Sequence, residues 1–163
     1  MSSRQELLVT AIKRRLLDTS RHVETLQAAC ANFGVDFDLE RFVAAWNGES
    51  QEQRIAAYAV QAGYENAING AIKIAQELSE LTGWTPANQE PNSNEALRKL
   101  RENGVMTAKT LTGLKDAYED RSKLQHDYAN TRARDIHGAT LATLEAVPEL
   151  LQNVRLYVSQ NYQ

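Results

Sequence analysis

The sequence predicts an all-α protein. Apolar residues recur at spacings of three and four along nearly the whole chain, which is typical of amphipathic helices. No stretch shows the sustained alternation of β-branched and polar residues that a strand needs. At 163 residues and 42% hydrophobic, the chain can bury a core without metals or disulfides. We therefore expect one domain over residues 1–163, an up-and-down four-helix bundle with short additional helices.

The first two predicted helices are bounded by turn residues. The first runs from Ser3 to Asn32 with apolar residues on one face, and Gly34 is placed to end it. A short helix from Leu39 to Trp46 follows, and Asn47-Gly48 breaks it. These boundaries predict a long helix and a short helix joined by a tight turn.

The third predicted helix is long and carries glycines on its apolar seam. Ser50 caps it, and it runs from Gln51 to Leu81. Gly63 and Gly70 lie in the middle of the seam, where the lack of a side chain lets another helix approach closely. We expect a close helix pair at this point.

Three more helices are predicted after a loop that contains two of the three prolines. A short helix from Asn94 to Glu102 stops at Asn103-Gly104, and Thr107 then caps a long fifth helix. The last helix begins near Asp135, and Pro148 inside it predicts a kink or a restart. Four long and two short helices complete the bundle.

Composition bounds the environment of the protein. The start of the chain lacks an apolar signal core and no stretch resembles a membrane span, so we expect a cytoplasmic protein. A single cysteine, Cys30, has no disulfide partner and no companion for zinc, so we expect a buried thiol, no metal site and no cofactor. The net charge of −3 repels the phosphates of nucleic acids, so binding of RNA would need a local basic patch.

One polar run combines residues that suit phosphodiester cleavage without a metal. It comprises Arg121, His126 and Tyr128. An arginine fork binds phosphate and stabilises charge in the transition state, a histidine transfers protons near neutral pH, and a tyrosine adds a phenolic hydroxyl. Because arginine and histidine at this spacing are also common on charged helices, solvent exposure and surface ion pairs are the alternative interpretation.

Helical geometry does not bring these three side chains together on one unbroken helix. If residues 107–131 formed an ideal helix, Arg121 and Tyr128 would share a face and His126 would point about 140° away. Two alternatives remain open. Either the helix loosens after Leu124, or the same motif of a second subunit completes the site across a two-fold axis.

Three segments in this order resemble the HepT-like branch of the HEPN proteins. They are Tyr64 to Asn69 (YENAIN), Leu97 to Val105 (LRKLRENGV), and the R-x4-H-x-Y pattern. The resemblance covers most of the chain. It implies a homodimeric helical bundle that acts as the endoribonuclease toxin of a type II toxin-antitoxin system, with tRNA or mRNA as substrate.

The resemblance also assigns roles to the residues of the motif. It implies that Arg121 and His126 cleave RNA in a cleft between two subunits. It further implies that an MNT-type nucleotidyltransferase antitoxin attaches AMP to Tyr128 and so silences the toxin. One position departs from the family pattern, since Ser122 stands where active members usually have Asn, Asp or His. A serine hydroxyl can still donate a hydrogen bond to phosphate.

Several nearby residues are candidates for lesser roles. Ser122, Lys123, Arg132 and Arg134 are possible phosphate or RNA contacts. Glu65 and Asn69 could line the cleft, although a solvated polar face is the preferred interpretation. His22 and His137 are expected in surface or capping roles, and Trp46 and Trp84 in packing or at an interface.

Two other functions remain open. One is a non-catalytic subunit that presents substrate to a nucleotidyltransferase, with the same three residues forming a ligand pocket. The other is a purely structural helical dimer.

Overall fold

The computed structural model describes residues 1–86, 89–124 and 132–163, and for residues 121–124 it describes the backbone. Within these ranges every regular element is a helix, which confirms the predicted all-α class. The six helices are α1 (Ser3–Ala31), α2 (Leu39–Trp46), α3 (Gln51–Leu81), α4 (Ser93–Glu102), α5 (Ala108–Leu124) and α6 (Arg132–Asn161).

Side-chain caps account for the helix starts. The side chains of Ser2, Asp38, Ser50 and Asn92 each accept a hydrogen bond from the backbone N–H three residues later. Thr107 does the same at α5, where the Thr110 N–H lies 3.2 Å from the Thr107 hydroxyl. Such caps satisfy N–H groups that the first turn leaves without a partner. The predicted bounds of α2 and α3 are confirmed, and those of α1 and α4 shift by one residue.

Helix α6 starts close to the predicted position near Asp135. Its range is Arg132–Asn161, and Asp135 lies in its first turn. An acidic residue is favourable there because it faces the positive end of the helix dipole. Helix α6 also continues through Pro148 to Asn161, so the predicted restart is wrong. The missing N–H of Pro148 removes one intrahelical hydrogen bond without ending the helix.

Helices α1 and α3 pack closely and run antiparallel. A Cβ added at Gly63 would meet the Leu26 backbone Cα at 3.3 Å, and one added at Gly70 would meet the Thr19 hydroxyl at 2.2 Å. Further along, Arg15 Nε donates to Glu77 at 2.6 Å. Residue numbers on α3 rise as those on α1 fall, so the helices are antiparallel. The predicted close approach at the two glycines is confirmed.

Helices α5 and α6 form the second major pair. A Cβ at Gly113 would lie 3.1 Å from Ala146 Cβ, and Lys109 bonds to Glu145 at 2.8 Å on the rim. Buried side chains from all six helices join one hydrophobic cluster. Tyr64, Phe42 and Leu114 are among its most buried members. The first turns of α5 are therefore packed closely against α6.

In the part of the chain that the structure describes, none of the helices combines the length and the apolar character needed to cross a membrane.

Candidate functional site

The predicted catalytic motif joins the end of α5 to the start of α6. Arg121 lies in the last turn of α5, together with Ser122 and Lys123. His126 and Tyr128 lie outside the described residues. The roles assigned to these residues therefore stay predictions, as do the two alternatives for bringing His126 to Arg121.

The register of α5 places position 121 on the face of the helix that packs into the bundle. Arg121 follows Leu114 by seven residues and Tyr118 by three, and both spacings return to the same face. Leu114 is fully buried, and Tyr118 packs against the core. The motif thus begins where the apolar face of α5 reaches the end of the bundle.

The two basic residues predicted just after the motif have different environments. The Arg132 guanidinium carbon lies 5.8 Å from the centre of the Trp46 ring, which is within the range of a cation–π interaction. The Nε of Arg132 is buried and has no hydrogen-bond partner among the residues that the structure describes. Arg134, two residues later, is exposed. Arg132 is thus held on an aromatic ring, whereas Arg134 faces solvent.

Aromatic residues of α2 and α3 pack against the Trp46 ring that Arg132 contacts. Trp46 is half-buried and packs on Phe42, with ring centres 6.1 Å apart. Tyr58 packs edge-on against Trp46 at 4.8 Å and is 48% exposed. The expected packing role of Trp46 is confirmed, and so is that of Trp84, which contacts Tyr157. The sequence prediction did not single out Tyr58, because an aromatic residue on a polar helix face carries no distinguishing pattern.

His137 has a structural contact that the sequence analysis did not anticipate. Its Nε2–H donates to the Phe37 carbonyl at 2.6 Å, and the two rings stack with centres 4.4 Å apart. Phe37 has a φ of +49°, which is rare for a residue with a side chain. His137 therefore ties the turn between α1 and α2 to α6, a tertiary contact that goes beyond the surface or capping role expected for it.

The α3 residues considered for the cleft face other partners. Asn69 lines a groove of about 400 Å³ between α1 and α3, beside Asp18, His22 and Lys73. Glu65 accepts a hydrogen bond from Gln61 of its own helix at 3.2 Å. Asn69 thus borders α1 rather than the pair α5 and α6. These contacts agree with the solvated polar face that we preferred for Glu65 and Asn69.

A second groove, of about 450 Å³, lies between α5 and α6. Gly113, Ala142 and Ala146 are among its small lining residues. Its charged side chains are Lys109, Asp116, Glu145 and Glu149. The Glu145 carboxylate raises the pKa of Lys109 through a hydrogen bond and through its charge. Since three of the four charges are negative, this groove is unsuited to RNA phosphates.

Cys30 is excluded as a nucleophile by its surroundings. The residue is buried, and burial raises the pKa of its thiol to about 11. Because the thiolate is the reactive form, the thiol is inert near neutral pH. The expectation of a small buried residue is confirmed.

No protein-family model matches this chain, and neither a curated protein nor a solved structure matches it. The resemblance to HEPN proteins rests on the sequence segments described above.

Proposed function

We propose that this chain is a metal-independent endoribonuclease of the HEPN type, in which Arg121 and His126 carry out the cleavage. The observation that carries the proposal is the R-x4-H-x-Y pattern, which starts in the last turn of α5 in an all-helical protein. The packed pair of α5 and α6 supports it, because a catalytic motif needs a rigid base. The arginine at the start of α6 adds positive charge next to the motif.

The proposed reaction needs one acid, one base and one cation. His126 of one subunit accepts the proton of the ribose 2′-hydroxyl, and the 2′-oxygen attacks the phosphorus. The bond to the 5′-oxygen breaks, and that oxygen takes a proton from His126 of the second subunit. Arg121 binds the non-bridging oxygens and stabilises the charge that they gain in the transition state. The products are a 2′,3′-cyclic phosphate and a 5′-hydroxyl.

The homodimer is part of this proposal. One histidine per chain supplies either the acid or the base at a given moment, so two copies divide the two roles. A two-fold axis through the motif would bring both copies to one phosphate. A mixed dimer with one His126→Ala subunit is then expected to lose most of its activity.

We further propose that Tyr128 is the point of control. AMP attached to this hydroxyl by an MNT-type antitoxin would place a phosphate where it can pair with Arg121. The modified residue would then occupy the position of the substrate phosphate. Co-expression with such a nucleotidyltransferase followed by mass spectrometry tests this step, with Tyr128→Phe as the control. An unmodified Tyr128 in an inactive co-expressed protein would contradict it.

Inducible expression in a bacterial host tests the proposed activity. Wild type is expected to stop growth and fragment RNA, whereas His126→Ala and Arg121→Ala are expected to do neither. His22→Ala and Arg155→Ala are matched controls on α1 and α6 and are expected to remain toxic. If wild type leaves growth and RNA intact, the toxin proposal fails. Binding of RNA or nucleotide without cleavage would instead favour the substrate-binding subunit of a nucleotidyltransferase.

A further inference from the structure

An aromatic and cationic surface lies where α2, the start of α3 and the start of α6 meet. It consists of Trp46, Tyr58 and Arg132, and we call it the Tyr58 surface. None of the roles proposed above uses Tyr58. Because Arg132 closely follows the proposed catalytic motif in the sequence, this surface is a candidate for binding substrate.

Tyr58 is exposed although it is a large aromatic residue. It is 48% exposed, and its ring is held edge-on against Trp46 with centres 4.8 Å apart. Trp46 is in turn half-buried against Phe42 of the core. The ring of Tyr58 is thus fixed from behind and open to solvent, as a base-stacking side chain needs to be.

The turn between the two aromatic residues is also fixed. Arg54 Nη1 donates to the carbonyls of Gly48 and Glu49, at 2.8 and 2.7 Å. These bonds connect the first turn of α3 to the turn that directly follows Trp46, the last residue of α2. The relative position of Trp46 and Tyr58 is therefore set before any ligand arrives, which lowers the entropy cost of binding.

Arg132 supplies a positive charge that no carboxylate neutralises within the described ranges. The ion pairs found there do not include Arg132. Its guanidinium lies over Trp46, and its buried Nε makes no hydrogen bond to any described residue. A guanidinium held on an aromatic ring keeps donors for a phosphate, and its plane can stack with a base.

Covalent connectivity places this surface close to the proposed cleavage motif. Arg132 follows Tyr128 by four residues and His126 by six in the sequence. Six residues of chain span at most about 20 Å. A short stretch of RNA can therefore contact both Arg132 and the motif.

We propose that the Tyr58 ring stacks on an unpaired base of single-stranded RNA and that Arg132 binds a phosphate of the same strand. This inference rests on the proposed ribonuclease function and deepens it, since it makes single-stranded RNA the substrate class. Base stacking on aromatic rings tolerates every base, so the surface favours unpaired regions over a particular sequence.

Binding of a short single-stranded RNA to the His126→Ala protein tests the inference, because this variant is expected to bind without cleaving. Tyr58→Ala is expected to weaken binding about tenfold, and Tyr58→Phe to retain most of it. Ile55→Ala is the matched control, since Ile55 is 64% exposed and lies one turn earlier on α3. Thermal melts of each variant show that the fold is retained.

An RNA of the same length with abasic sites separates stacking from charge. Tyr58→Ala is expected to leave the affinity for this RNA unchanged. Arg132→Gln is expected to weaken the binding of both RNAs and to reduce the magnitude of the slope of log affinity against log salt concentration by about one. The inference is overturned if the Tyr58→Ala protein binds the normal RNA as tightly as the Ile55→Ala protein does. It is also overturned if Tyr58→Ala lowers the affinity for the normal and the abasic RNA equally. Cleavage of RNA by wild type is measured separately. If Tyr58→Ala weakens binding only to the RNA that carries bases, and wild type cleaves no RNA, the ribonuclease proposal is refuted and the stacking role of Tyr58 is supported.

Discussion

Replacing Gly70 by alanine tests the close contact between α1 and α3. The new Cβ would lie 2.2 Å from the Thr19 hydroxyl, 3.0 Å from its Cγ2 and 3.1 Å from its Cβ. Thr19 is 1% exposed and branched at Cβ, so it cannot move aside easily. Overpacking of this kind costs about 1–3 kcal/mol, and the higher helix propensity of alanine returns about 1 kcal/mol. We expect a net loss of up to about 2 kcal/mol, which lowers the Tm by up to about 4–8 °C.

Gly138→Ala is the matched control, because nothing lies within 4 Å of a Cβ at this α6 position. This variant gains helix propensity without a clash, so we expect it to stabilise the protein by about 0.5–1 kcal/mol. Urea unfolding followed by circular dichroism measures both variants. Adding Thr19→Ala to Gly70→Ala removes the two closest atoms and should recover part of the loss. If Gly70→Ala is as stabilising as Gly138→Ala, the close packing at this point is refuted.

Three further predictions concern single contacts. Arg15→Ala removes the partner of the mostly buried Glu77, and we expect it to lower the free energy of unfolding in urea by about 1 kcal/mol. Lys109→Ala breaks an exposed ion pair and should cost close to nothing. Equal costs for the two variants would contradict the reasoning. His137→Ala loses the hydrogen bond to the Phe37 carbonyl and the ring stack, so we expect the free energy of unfolding to fall by about 2–3 kcal/mol. A fall of less than about 0.5 kcal/mol would show that this contact does not hold the turn. The third concerns Cys30, whose pKa rises from 9.0 to about 11 on folding, so its stabilising contribution is complete below pH 9 and about 3 kcal/mol is lost as the pH rises toward 11. Wild type should therefore lose more stability than Cys30→Ala over this pH range. Identical pH profiles of the two proteins would refute the effect of burial on this thiol.

The helices could be predicted from the sequence because their signals are local. A cap such as Ser50 and a seam that carries Gly63 and Gly70 act within one or two turns, and the structure places α3 as expected. The start of α6 could be predicted only as near Asp135, because an acidic residue suits a first turn as well as a cap. Local patterns therefore fix the type of an element better than its ends.

The contacts around the candidate site could not be predicted because they join distant parts of the chain. His137 and Phe37 are 100 residues apart, and no spacing rule connects them. The same holds for Arg132 over Trp46 and for the exposure of Tyr58. Tertiary packing alone decides these positions. Arg121 and His126 could be proposed from the sequence for a different reason, since their chemistry and spacing are visible in one short motif.

The most direct test of the central claim is cleavage of RNA by the purified protein in the presence of EDTA. The proposed mechanism predicts cleavage without a divalent metal, with 2′,3′-cyclic phosphate and 5′-hydroxyl ends, and loss of activity in His126→Ala but not in His22→Ala. Intact RNA, or cleavage that EDTA abolishes, would contradict the account.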